Sequence, residues 1–138
     1  MPIIFNNQNT SFKLKNVSKI KSWIKTSIEK EKRKLGNINF VFTTDKDLLK
    51  LNQQFLKHDT LTDIITFDYC EGKIIHSDIM ISVERVEENA KKLNIDFNQE
   101  IKRVMIHGVL HLCGYKDKSK ADKELMRKRE NLALKNFN

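Results

Sequence analysis

At 138 residues the chain has the length of one domain, and no Gly- or Ser-rich linker divides it, so residues 1–138 read as a single unit. Apolar residues at 39%, charged residues at 32%, four Gly and one Pro exclude collagen-like and low-complexity chains and leave material for a core. Lys and Arg outnumber Asp and Glu by 26 to 18, a net charge of +8, which points to an anionic partner, either nucleic acid or an anionic membrane.

In chain order, residues 3–5 predict a first strand. Val17, Ile20, Trp23, Ile24 and Ile28 recur at helical spacing and predict a helix from 17 to about 35 that stops at Gly36. Ile38, Phe40 and Phe42 alternate as in a half-buried strand, and Thr44 is placed to cap a helix carrying Leu48, Leu51 and Phe55. A strand over 63–68, a turn at 71–73 and a strand over 74–82 follow. Ser82 is a candidate cap for a helix over 83–93, and two more helices are predicted over 97–112 and roughly 121–135. This order predicts an α+β (mixed α/β) domain, a small mixed sheet of about four strands packed with about five helices.

Charge is uneven. Residues 13–34 carry nine Lys or Arg against Glu29 and Glu31, whereas residues 57–89 carry three against eight Asp or Glu. A one-sided basic surface follows, with Lys19, Lys25, Lys30, Lys32 and Arg33 on it together with the C-terminal helix. Cys70 and Cys113 are too few for a disulfide framework and point to a reducing compartment. The opening residues have no charged segment followed by an apolar run, and no stretch of about 18 apolar residues occurs. The expectation is a cytoplasmic protein without membrane attachment.

The segment 107–117 carries the chemistry. His107 and His111 stand four apart on a predicted helix, so both imidazoles leave one face, a turn apart. That spacing lets two ring nitrogens reach one metal ion, as in the His-x-x-x-His helices of zinc enzymes. Gly114 is placed to end the helix in a left-handed turn, after which the chain can double back and bring Asp117 to the same metal. Two imidazoles and a carboxylate leave a fourth position for water, the arrangement of a catalytic zinc. Histidines four apart also occur as ordinary helix residues; the glycine turn and the carboxylate beyond it favour the metal. Gly108 stands where a zinc protease of the His-Glu-x-x-His type carries its general base, which disfavours peptide hydrolysis.

The same segment resembles the signature of the YbeY endoribonucleases, bacterial rRNA maturation factors, written H-G-x-L-H-L-x-G-Y-D-H, and Glu124 and Met126 continue the match. Upstream, Leu51, Asn52 and Phe55 resemble the family's L-N-x-x-[YF] block, and residues 62–67 its T-[DN]-V-L-S-F block. Residues 78–82 are similar to its G-D-I-x-I-S strand, with Ser77 where Gly is usual. Two departures stand out: Asp117 replaces the family's third metal-ligand His, and Leu56 occupies the place of an Arg that contacts phosphate or RNA. Asp is a competent zinc ligand, so the first is a substitution within the site.

The resemblance implies one Zn2+ per chain and no small-molecule cofactor. It implies a single-strand-specific endoribonuclease acting in rRNA processing, at the 3′ end of small-subunit rRNA, and in ribosome quality control. Single-stranded RNA and the ribosomal small subunit are then its partners. The catalytic candidates are His107, His111 and Asp117, acting through the metal, with Lys57, His58 and Lys116 as cations replacing the one lost at Leu56. Asp63 and Glu124 are candidates for a general base or a supporting partner. Tyr115 is placed either to stack on a base or to pack over the turn, Trp23 and Cys113 read as core, and His76 as an exposed strand residue. The alternative reading is a non-catalytic, metal-stabilised RNA-binding factor in ribosome assembly.

Overall fold

The computed structural model describes residues 2–56 and 61–137. Strands β1 (Ile3–Asn7), β2 (Lys34–Thr43), β3 (Ile64–Asp68) and β4 (Ile74–Ser82) form one sheet in the order β1-β2-β4-β3. β1, β2 and β4 run parallel, and β3 returns antiparallel beside β4. Alternation decides which side chains enter the core: Phe40 pairs with Ile79 and Phe42 with Ile81, all buried. The hairpin from β3 to β4 turns at Gly72, whose φ of +58° lies in the left-handed region that glycine adopts without strain.

The described residues form five α-helices packed with the sheet or with one another: α1 (Val17–Lys30), α2 (Asp45–Leu51), α3 (Val83–Leu93), α4 (Phe97–Leu112) and α5 (Lys120–Phe137). The two predicted caps form, Thr44 Oγ1 accepting from the Asp47 amide at 3.2 Å and Ser82 Oγ from the Arg85 amide at 3.1 Å. α2 widens into a π-helical turn over Asn52–Leu56. α4 is buried along most of its length, with Ile101, Val104, Met105, Ile106, Val109 and Leu110 in the core, and it sits in the middle against α1, α3, α5, β3 and β4. Trp23 belongs to the core, its indole N–H donating to the Ala133 carbonyl at 2.8 Å. Among the described residues no helix is long and apolar enough to cross a membrane.

The first helix is shorter than its apolar spacing predicts. It ends at Lys30, Lys32 takes φ +59°, and Lys34 and Leu35 already pair with Ile74 and Ile75 of β4. Gly36 is therefore not a helix terminator. It lies where the β2–β4 register shifts, and a Cβ there would stand 2.5 Å from the His76 ring and 2.6 Å from the Ile75 carbonyl oxygen. Pairing with β4 outweighs local helical preference. His76 is partly buried rather than exposed, its Nδ1 accepting from the Asn37 amide at 3.0 Å.

Candidate metal centre and its cleft

The end of α4 sets the geometry. Gly114 takes φ +108°, its amide bonds to the His111 carbonyl at 3.1 Å, and the Tyr115 amide bonds to Leu110 at 3.1 Å. These two bonds form a Schellman turn, which reverses the chain as expected from Gly114. The reversal is braced from α1 and its exit: Arg33 Nη2 donates to the Cys113 carbonyl at 3.0 Å, and the Tyr115 hydroxyl donates to Glu31 Oε1 at 2.7 Å. With the Arg129 guanidinium 5.6 Å from its ring centroid, Tyr115 packs over the turn. Cys113 is buried core, and burial pushes its thiol up to about 11.

The doubled-back chain brings Asp117 Oδ2 to 3.3 Å from His107 Nε2. On the other side of the ring, His107 Nδ1 meets Glu130 Oε2 at 2.6 Å. His111 Nδ1 lies 3.1 Å from the Tyr115 carbonyl oxygen, which can only accept, so that nitrogen carries a proton and the lone pair of the neutral ring falls on Nε2. Glu130 holds His107 in the same way. An oxygen acceptor on one imidazole nitrogen, leaving the other for a cation, is how metal-binding histidines are held, so the donor chemistry suits zinc. Among the described residues no group of three or more His, Cys, Asp and Glu is assembled around a common point. His107 and Asp117 meet, while the exposed His111 ring stands a turn away.

Electrostatics tie the buried side of this pair together. Burial alone pushes the His107 pKa down, but the Glu130 hydrogen bond and the charges of Glu130, Asp117 and Asp63 outweigh it and raise it above the ordinary 6.5. Burial works against the Glu130 carboxylate too, but hydrogen bonds from His107 and Arg103 hold it below 4.5. Arg103 Nη1 reaches Glu130 Oε1 at 3.1 Å and Asn131 Oδ1 at 3.0 Å. Its Nε and Glu100 Oε1, both buried without a hydrogen-bond partner, lie 3.7 Å apart: close enough to attract as charges, too far to hydrogen-bond.

A cleft of about 400 Å³ opens over this cluster, lined by His107, Asp117, Glu130, Asp63, Arg103 and Arg127 among others. Asp63 has its pKa raised, chiefly by burial against the pull of His107. Of the two acid–base candidates, Asp63 shares the cleft with His107, while Glu124 lines a neighbouring groove. Lys57 and His58 lie outside the described residues, and Lys116 is exposed and off the cleft wall. None of Lys19, Lys25, Lys30, Lys32 and Arg33 lines the cleft; its cations are Arg103, Lys123 and Arg127. Sequence reasoning missed Glu130, Glu100 and Arg103. A signal existed for the first: Glu130 stands four residues from both Met126 and Leu134 on the buried stripe of α5, where a carboxylate needs a partner.

Comparison with known proteins places the chain in a family. The family model for endoribonuclease YbeY matches residues 3–138. A Flavobacterium psychrophilum protein named endoribonuclease YbeY is 51% identical over 131 residues, covering 95% of this chain and 94% of that protein. One of the same name from Amoebophilus asiaticus is 49% identical, covering 92% of this chain and 87% of its own length. The solution structure of TM1509 from Thermotoga maritima superposes with a TM-score of 0.66 at 27% identity over 98% of this chain and 88% of that one. The family model spans nearly the whole sequence and the relatives are about half identical over most of their length: the chain belongs to the YbeY endoribonuclease family.

Proposed function

We propose that this endoribonuclease is zinc-dependent, cuts single-stranded RNA, and acts in the cytoplasm on ribosomal RNA, maturing the 3′ end of the small-subunit RNA. The observation that carries the metal assignment is the tethering of both imidazoles by Nδ1, to Glu130 and to the Tyr115 carbonyl, with His107 Nε2 turned to Asp117. His107, His111 and Asp117 would hold the ion. When bound, zinc supplies Lewis-acid polarisation of a phosphoryl oxygen and acidifies water. Glu130 fixes the His107 ring, and Tyr115 fixes His111 through its backbone. Asp63, partly buried and lining the same cleft, would exchange a proton with the substrate or its leaving group. The ribosomal substrate is supported by the family resemblance and by the net charge of +8, and two free cysteines suit a reducing compartment.

The test pairs metal analysis of protein purified without chelator with cleavage of an unstructured RNA. Stoichiometric zinc in the wild type, and loss of cleavage in His111→Ala, are expected. Absence of any stoichiometric transition metal, or full turnover by the variant, overturns the assignment. RNA bound but left intact by a zinc-loaded wild type would instead favour the non-catalytic assembly factor.

A further inference from the structure

The cleft floor is acidic: Asp63, Glu100, Asp117 and Glu130 line it, and a phosphodiester approaching them needs cations on its route. Arg103 is already committed, its side chain 16% exposed and bonded to Glu130 and Asn131. The cations of the α5 rim are different. The Arg127 side chain is 57% exposed and only loosely paired, 3.8 Å from Glu130 Oε1, and Lys123 is exposed with no ion pair among the described residues.

Lys120, Lys123 and Arg127 are spaced by three and then four residues, which puts them on one face of α5. A second groove, of about 500 Å³, is lined by Lys120, Lys123, Glu124 and Arg127. It shares Lys123 and Arg127 with the cleft over His107 and Asp117, so the two adjoin along the helix. Three cations against the single carboxylate Glu124 leave that groove with a net charge of +2.

We propose that the RNA strand leaves the cleft along this face of α5, with successive phosphates on Arg127, Lys123 and Lys120. This path rests on the reading of the cleft as the RNA-cleaving site and adds where the flanking strand lies. The three residues span about 10 Å of helix axis, and their long side chains widen that reach. They bind and orient substrate; the reacting atoms stay with the cleft.

The experiment uses the full zinc-loaded protein and a labelled, cleavage-resistant phosphorothioate RNA of about 12 nucleotides, a length such grooves cover. Binding is followed by fluorescence anisotropy against salt. Three lost phosphate contacts should make the log–log slope shallower by about 2 in the Lys120→Ala/Lys123→Ala/Arg127→Ala variant, at roughly 0.7 per contact. Lys92→Ala, exposed on α3, should leave the slope unchanged. With ordinary RNA the triple variant should show a raised KM and a smaller change in kcat, and the shortest RNA that the wild type cuts should be cut equally by both. An unchanged slope in the triple variant, its Tm matching the wild type, overturns the path even if the wild type cleaves RNA. A slope that falls as expected in a protein that cleaves nothing keeps the path and rejects the cleavage reading. Poly-glutamate binding as tightly as RNA, with the same loss in the variant, overturns RNA in favour of an acidic protein partner.

Discussion

Glu130 is a buried carboxylate on an apolar helix stripe, held by His107 at 2.6 Å and Arg103 at 3.1 Å. Removing it strands two cationic groups away from water. Glu130→Ala should therefore cost about 3–5 kcal/mol of folding stability, read from urea unfolding. The imidazole it holds would also lose its orientation, and zinc affinity should fall about 10–100-fold in a competition titration. Around the ion itself the side chains are not equivalent. His107→Ala should abolish stoichiometric zinc, whereas Asp117→His should retain it, because an imidazole at that place supplies the same lone pair without the charge. A zinc-free Asp117→His protein would remove Asp117 from the ligand set.

At the level of elements, the close approach of α4 to β3 sets the position of the cleft wall. Gly108, one residue past His107, is buried, and a Cβ there would lie 2.7 Å from Ile64 Cδ1 and 3.2 Å from Thr66 Cγ2. The sequence offers this glycine as the absence of a protease's glutamate. Packing supplies the positive reason for it, since a Cβ there would force the Ile64 side chain of β3 to give way. Gly108→Ala should cost about 1–3 kcal/mol in denaturant unfolding and lower RNA cleavage by displacing Asp63 at the start of β3. Gly108→Glu should cost more and yield no peptidase activity on a denatured protein. Wild-type stability in Gly108→Ala would show that β3 yields without strain. α5 completes the site with its capping box, the Asp122 amide donating to Ser119 Oγ at 3.0 Å, which starts the helix that carries Lys123, Arg127 and Glu130.

For the whole molecule, proton and metal compete for the same ring. His107 in the metal-free fold titrates above 6.5, so the folded state holds its proton more tightly than the unfolded chain does. Its contribution is full below 6.5 and is lost as pH rises through the raised value. Glu130, held below 4.5, contributes above that value and is lost as pH falls through its lowered one. Asp63 and Glu100, raised by burial, add a decline as pH rises above their ordinary values and they ionise. The Tm of metal-free protein should thus fall as pH rises through the raised His107 value, and His107→Gln should flatten that limb. Zinc needs the deprotonated ring, so the Tm rise on adding it should grow as pH rises through the His107 value. A zinc-induced shift independent of pH would mean that His107 does not bind the ion.

Local physics made part of this protein legible from its residues alone. Strand alternation over 74–82, the caps at Thr44 and Ser82, and the run from His107 through Gly114 to Asp117 depend on neighbours within a turn or two, and the structure forms each of them. What acts across the chain was decided by tertiary packing. Lys34 and Leu35 left the helical pattern because β4 offered them partners. Glu130 reached His107 from 23 residues away, and Arg33 reached the Cys113 carbonyl from 80. Periodicity says which face of an element is apolar, but which faces meet depends on the burial of all the elements together. A polar residue on such a face, like Glu130 or Glu100, therefore takes its role only from the partner that packing brings to it.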